Sequence, residues 1–200
     1  VQITVVDNAG VTQVFTAIVA ANGTFSADVP AAMAEGSFTV SVSATDDAGN
    51  TATDADTGVI DVTAPSITVD VDDVTNDTTP VINGTTDAAA GTTVTITVTD
   101  SNGAVQTLSA IVQANGTYSV EVPTALAEGN FTVSATVSDS AGNSATATDT
   151  GEVDTTPPAI VIDPIDLTSD PTPTITGSTD VSVGTIVLVT VTSSTGIEQT

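Results

Sequence analysis

Hydrophobic and polar residues alternate along this chain in short stretches, and turn-forming residues interrupt them at even spacing. Thr92–Asp100 shows the pattern best: Val94, Ile96 and Val98 alternate with Thr93, Thr95, Thr97 and Thr99. A period of two puts the aliphatic set on one face of a strand and the threonines on the other. Between residues 63 and 155 the same reading predicts strand A at Ser66–Val71, B at Val81–Thr86 and C at Thr92–Asp100. A further strand follows at Gln106–Val112, then E at Thr117–Val122, F at Asn130–Asp139 and G at Ala145–Asp154. Asn102-Gly103 and Asn115-Gly116 supply turns between them. Seven short strands with regular turns predict an all-β sandwich rather than a barrel or a helix bundle.

The pattern recurs. Val1-Gln-Ile-Thr-Val-Val-Asp7 returns as Val94-Thr-Ile-Thr-Val-Thr-Asp100, and Ala34-Glu-Gly-Ser-Phe-Thr-Val40 as Ala127-Glu-Gly-Asn-Phe-Thr-Val133. Asp47-Ala-Gly-Asn50 returns as Ser140-Ala-Gly-Asn143, always 93 residues on (94 − 1, 127 − 34, 143 − 50) and without a gap. A fixed period of this length marks tandem sandwiches joined end to end. The expected repeats are 1–62, holding strands C to G; 63–155, complete; and 156–200, holding strands A to C. Each terminal part then lacks strands that its sandwich needs. Either the chain is a window on a longer filament, or the incomplete ends pair between copies by strand exchange.

Composition narrows the function. The chain has no Lys, Arg, His, Cys or Trp against 25 acidic residues. Nothing can neutralise a phosphate, so nucleic acid is excluded as a partner, and an anionic membrane surface repels the chain. Neither is any stretch apolar for long enough to insert in a membrane. Without His, Cys or Lys there is no Ser–His or Cys–His nucleophile, no Schiff base and no imidazole ligand, so no enzyme is expected. Hydrophobic residues still make up 40%, enough for a packed core built mainly of Val, Ile and Ala. The remaining inventory of carboxylates, hydroxyls, amides and backbone suits a hard, oxygen-seeking cation such as calcium.

Leu126-Ala-Glu-Gly-Asn-Phe-Thr-Val-Ser-Ala-Thr-Val-Ser-Asp-Ser-Ala-Gly-Asn143, Val153-Asp-Thr-Thr-Pro-Pro158 and the Pro80–Gly84 strand together resemble the bacterial immunoglobulin-like repeats in the extender region of large type I-secreted, RTX-type adhesins. The resemblance covers the whole chain. It implies seven-stranded immunoglobulin-like sandwiches in an extracellular stalk at the cell surface. That stalk would project ligand-binding domains for adhesion and biofilm formation, with Ca2+ at the junctions between neighbouring repeats. The alternative is a subunit of an extracellular filament that self-associates through its incomplete terminal domains.

Strand connections alternate between the two ends of a sandwich, which predicts which acidic residues meet. The B–C loop (Asp87), the F–G loop (Asp139, Asn143) and the incoming linker (Asp61) share one end of the middle repeat. These four are candidate calcium ligands, with backbone carbonyls and water completing six to eight contacts. Asp154 and Asp180 form the corresponding set at the next junction, and Asp46 with Asn50 faces the preceding repeat. The competing reading takes them as solvated turn residues, since Asp and Asn favour such positions anyway. A second cluster (Asp70, Asp72, Asp73, Asp77) reads as a solvated acidic loop. Asp56-Thr-Gly58 and Asp149-Thr-Gly151 match the aspartic-protease tripeptide, but they occupy the same phase of successive repeats, so no local two-fold relates them. They read as strand-G residues.

Overall fold

Val1–Val153 and Asp154–Thr200 form two compact units. The computed structural model describes residues 1–196, 198 and 199.

The first unit opens with β1 (Gln2–Val6), β2 (Thr12–Thr16), β3 (Gly36–Thr45) and β4 (Thr51–Ile60), an antiparallel sheet of order β2-β1-β3-β4. The middle repeat follows with β5 (Ile67–Asp70), β6 (Val74–Thr75), β7 (Val81–Thr86), β8 (Thr93–Thr99), β9 (Val105–Ile111), β10 (Thr117–Glu121), β11 (Gly129–Ser138) and β12 (Ser144–Val153). These make two sheets, β10-β7-β5 and β6-β12-β11-β8-β9. Ile82 on one sheet and Val94, Ile96, Val98, Phe131, Val133 and Val137 on the other are fully buried between them. Val94, Ile96 and Val98 are the inward set that the alternation along Thr92–Asp100 predicts. Each such side chain contributes roughly 1.5–3 kcal/mol by leaving water. The all-β immunoglobulin-like expectation is met.

The first strand of the middle repeat departs from the sequence reading. It does not end at Val71 but changes sheets. β5 pairs antiparallel with β7, whereas β6 pairs parallel with β12 through Val74 with Glu152 and Thr75 with Val153. A two-residue strand has no periodicity to read.

β3 and β4 match β11 and β12 end for end at the 93-residue offset (129 − 36, 153 − 60). Residues 1–62 contain no counterparts of β5, β6 and β7, and the consequence is plain in one segment. Strand E was expected in this repeat, yet residues 24–28, the counterpart of β10, form no strand. Phe25 is 44% exposed where its equivalent Tyr118 is 1% exposed, and Val19 is 51% exposed where Val112 is 2%. The backbone of β10 is held by β7 and its side chains by the facing sheet. Near-identical residues without those partners do neither. A smaller core of Ile3, Val5 and Ala17, flanked by Phe15, Met33 and Phe38, packs on the sheet instead.

The second unit contains β13 (Ile160–Ile162) paired with β14 (Gly177–Thr179), and β15 (Val191–Thr192) paired with β16 (Glu198–Gln199). β13, β14 and β15 fall where strands A, B and C were expected, but shortened, and β16 corresponds at the 93-residue offset to β9, the strand after C. None of its described residues is buried.

Candidate functional site at the joint between repeats

The β11–β12 hairpin turns through Asp139-Ser-Ala-Gly-Asn143. Asp139 Oδ1 accepts the backbone N–H groups of Ala141 and Asn143, both at 2.9 Å. The Asp139 N–H returns to the Asn143 carbonyl at 3.0 Å. Gly142 sits at φ 95°, so the hairpin is a type I turn closed by a left-handed glycine. This geometry leaves Asp139 Oδ2 for the Asn143 side-chain amide, which donates to it at 3.0 Å. The same nitrogen lies 3.0 Å from the Asp61 carbonyl oxygen and 3.5 Å from Asp61 Oδ1. Three oxygens from two residues therefore converge on one amide nitrogen. The Asn143 amide, followed by the turn N–H groups, holds the Asp139 carboxyl below its ordinary value of 3.8.

The linker is gripped from its other side as well. The Thr63 hydroxyl donates to both carboxylate oxygens of Glu35, at 2.7 and 2.9 Å, and the Thr63 N–H donates to Asp61 Oδ1 at 3.1 Å. Asp87 Oδ1 accepts the Ser66 N–H at 2.8 Å. Asp61, Asp87 and Asp139 line one open cleft with Thr63 and Pro65. Of the four expected ligands, Asp61, Asp139 and Asn143 are thus in direct contact, and Asp87 faces the same cleft while tied to Ser66. Among the described residues no three acidic side chains are grouped tightly enough to hold a metal ion by themselves. The joint instead mixes carboxylates with a carbonyl and an amide.

The other candidates repeat parts of this arrangement. Asn50 donates to Asp46 Oδ2 at 2.9 Å, and Asp46 Oδ1 accepts from Ala48 and Asn50. Its carboxyl is lowered first of all by the Asn50 side chain. In the second unit Asp180 accepts the Ala159 N–H at 2.9 Å, as Asp87 does that of Ser66, and Asp154 accepts that of Thr156 at 3.0 Å. In the acidic A–B loop, Asp77 accepts from the Thr79 N–H and hydroxyl.

Two aspartates escaped the sequence reading. Asp100 Oδ1 accepts the N–H groups of Asn102 and Ala104, and Oδ2 accepts that of Ala127 at 3.3 Å. Asp7 does the same with Ala9, Val11 and Ala34. Each ties its own turn to the loop ahead of β11 or β3. The available signal was Asp-x-x-Gly, shared by Asp7, Asp46, Asp100 and Asp139.

The fold and its joint define a tandem array of immunoglobulin-like sandwiches that share a clamped linker. The chain belongs to the bacterial Ig-like domain family, whose model matches residues 1–63 and 55–155. No curated protein matches it significantly. Similar solved structures include a tetra-tandem repeat in the extending region of a large adhesion protein (33% identity, TM-score 0.47, 99% of this chain and 53% of that one). A 1.5-MDa bacterial ice-binding adhesin follows (32%, 0.44, 81% and 56%). A third is a Ca2+-stabilized adhesin with which an Antarctic bacterium binds ice (31%, 0.40, 81% and 42%). The chain spans about half the length of the structures it matches. Among the described residues there is no helix long and apolar enough to cross a membrane.

Proposed function

We propose that this chain is an extracellular stalk segment of a large bacterial cell-surface adhesin. Its repeats, 1–62, 63–155 and 156–200, carry adhesive domains away from the cell for adhesion and biofilm formation, and Ca2+ stiffens their joints. The observation that carries this reading is the linker held from both sides, by Glu35 of the preceding repeat and Asn143 of the next. A linker free to flex needs neither grip.

Calcium fits the chemistry of that joint. The polarised Asn143 amide nitrogen stands where three oxygens converge, the place a hard cation takes when the amide turns its own oxygen inward. Asp61, Asp139 and Asn143 would hold the ion, with Asp87 and water completing the shell. Asp154 with Asp180, and Asp46 with Asn50, would serve the adjoining joints. Extracellular calcium modules bind at roughly 0.1–1 mM, and a tenfold excess over the dissociation constant adds about 1.4 kcal/mol per site. Bound ions also offset the mutual repulsion of carboxylates in a chain without Lys or Arg.

Small-angle scattering and thermal melting of the whole chain, with and without chelator, test this. Calcium should lengthen and stiffen the particle and raise its melting temperature. Identical curves in both conditions would remove calcium from the reading. A second reading, a filament subunit assembled by strand exchange, draws on the uncovered face around Phe25 and Val19. Fibres that grow with protein concentration would favour it over discrete monomers.

A further inference from the structure

The joint uses neither copy of Asp-Thr-Gly. In the middle repeat this tripeptide lies where the first strand changes sheets. Asp149 Oδ2 accepts the Val71 N–H at 3.0 Å, across 78 residues of chain. Its other oxygen accepts the Thr150 N–H at 2.9 Å, which fixes the carboxylate in place. Just beyond, the Glu152 N–H donates to the Asp73 carbonyl at 3.0 Å, and the two-residue parallel ladder of β6 on β12 begins. Gly151 completes the arrangement. A Cβ there would stand 2.5 Å from the Asp72 carbonyl oxygen and 2.6 Å from the Phe131 ring. Only glycine lets the crossing segment lie flat on β12.

We infer that Asp149 is the latch of this sheet switch, and that the latch makes the repeat resist tension applied along the chain. The linker enters beside the β11–β12 hairpin, where Asn143 holds Asp61. β12 starts in that hairpin and runs away from it to Val153, and β6 runs parallel to it. Tension on the two ends of the repeat therefore pulls β5 and β6 one way and β12 the other, along a shared axis. The bonds of Val71 and Asp73 to β12, with the ladder pairs Val74–Glu152 and Thr75–Val153, lie across that axis and are loaded together rather than peeled singly. The ladder itself spans only two residues, so the charged acceptor of Asp149, which makes a stronger bond than a neutral one, decides how soon the set fails. In the first repeat Asp56 keeps the bond to Thr57 at 2.8 Å; residues 1–62 have no strand for it to latch.

The inference takes its use from the stalk reading, but its geometry does not depend on it. The chain contains no cysteine, so introduced pairs can carry handles for optical tweezers. Ala64→Cys with Thr155→Cys loads the repeat along β6 and β12, while Asn102→Cys with Asn115→Cys loads the ends of β9 instead. In the full chain, Asp149→Ala should raise the rate of unfolding under load about tenfold in the first geometry, the loss of one hydrogen bond to a charged group. In the second geometry the change should stay under about twofold. An unchanged rate in the first geometry, or an equal change in both, overturns the inference. Should the alanine variant not fold, Asp149→Asn keeps shape and an acceptor but loses the charge. It must then show a smaller acceleration confined to the first geometry, and native behaviour overturns the inference. A joint insensitive to calcium would sink the stalk's proposed stiffening and leave these results untouched.

Discussion

Asn143 and Asp61, 82 residues apart in the chain, meet through a 3.0 Å hydrogen bond from the Asn143 side-chain amide to the Asp61 carbonyl. That bond ties the hairpin of one repeat to the strand exit of the repeat before it. It is made possible by Asp139, whose carboxylate both shapes the turn and orients the amide.

Asn143→Ala should therefore loosen the joint without unfolding either repeat. Scattering in calcium should show a more bent and variable particle than the native chain, and the calcium-dependent rise in melting temperature should shrink. A variant as stiff as the native chain would show that Glu35 and Thr63 suffice.

Tyr118 is the only tyrosine, and there is no tryptophan, so tyrosinate absorbance reports one site. Burial between the sheets pushes its hydroxyl up from 10.0 to about 12, and the hydroxyl donates to the Thr68 carbonyl. Because the folded state favours the neutral phenol, its contribution is complete below pH 10 and is lost as pH rises towards 12. Absorbance titration should find tyrosinate forming together with alkaline unfolding. Tyr118→Phe should cost about 1 kcal/mol at neutral pH in urea denaturation.

Acid acts through the turn aspartates. The carboxyl of Asp100 is held below 3.8, first by the Ala104 N–H. A lowered folded value means that its contribution is present above pH 3.8 and is lost as pH falls through the folded value. Protonation elsewhere relieves repulsion at the same time, so the informative quantity is a difference. The stability gap between native and Asp100→Asn, measured by urea denaturation, should be constant from neutral pH to about pH 4 and close below it.

Gly84 lies beneath the Tyr118 ring, and a Cβ there would collide with that ring and with the Thr68 carbonyl. Both neighbours are fixed, one by burial and one by its strand. Gly84→Ala should lower stability by about 3 kcal/mol, whereas Gly103→Ala, with nothing near its Cβ position, should cost only the strain of its positive φ. Urea midpoints of the two variants rank them.

Much of the middle repeat was legible beforehand because its strands alternate cleanly. Val81–Thr86 was read at its observed bounds, and Thr92–Asp100 and Asn130–Asp139 within a residue at each end. Hairpin parity placed Asp61, Asp139 and Asn143 at the same end, and they touch. Parity says which end a loop occupies but not which amide a carboxylate takes, and Asp87 took that of Ser66. Glu35 was invisible because its partner is a threonine hydroxyl 28 residues away. Asp149 was visible as a motif, but its role depends on a sheet switch that two residues, Val74 and Thr75, accomplish.

The contrast between Phe25 and Tyr118 bears on how such a chain reaches its folded form. β5 and β12, at opposite ends of a repeat, are both needed to close it. A chain emerging from a narrow exit, with either end leading, keeps each repeat unsealed until its last strand is out. The waiting segment at any moment is then about one period long, and every finished repeat behind it is already locked. An array of this kind matures in steps of one repeat, however many it contains.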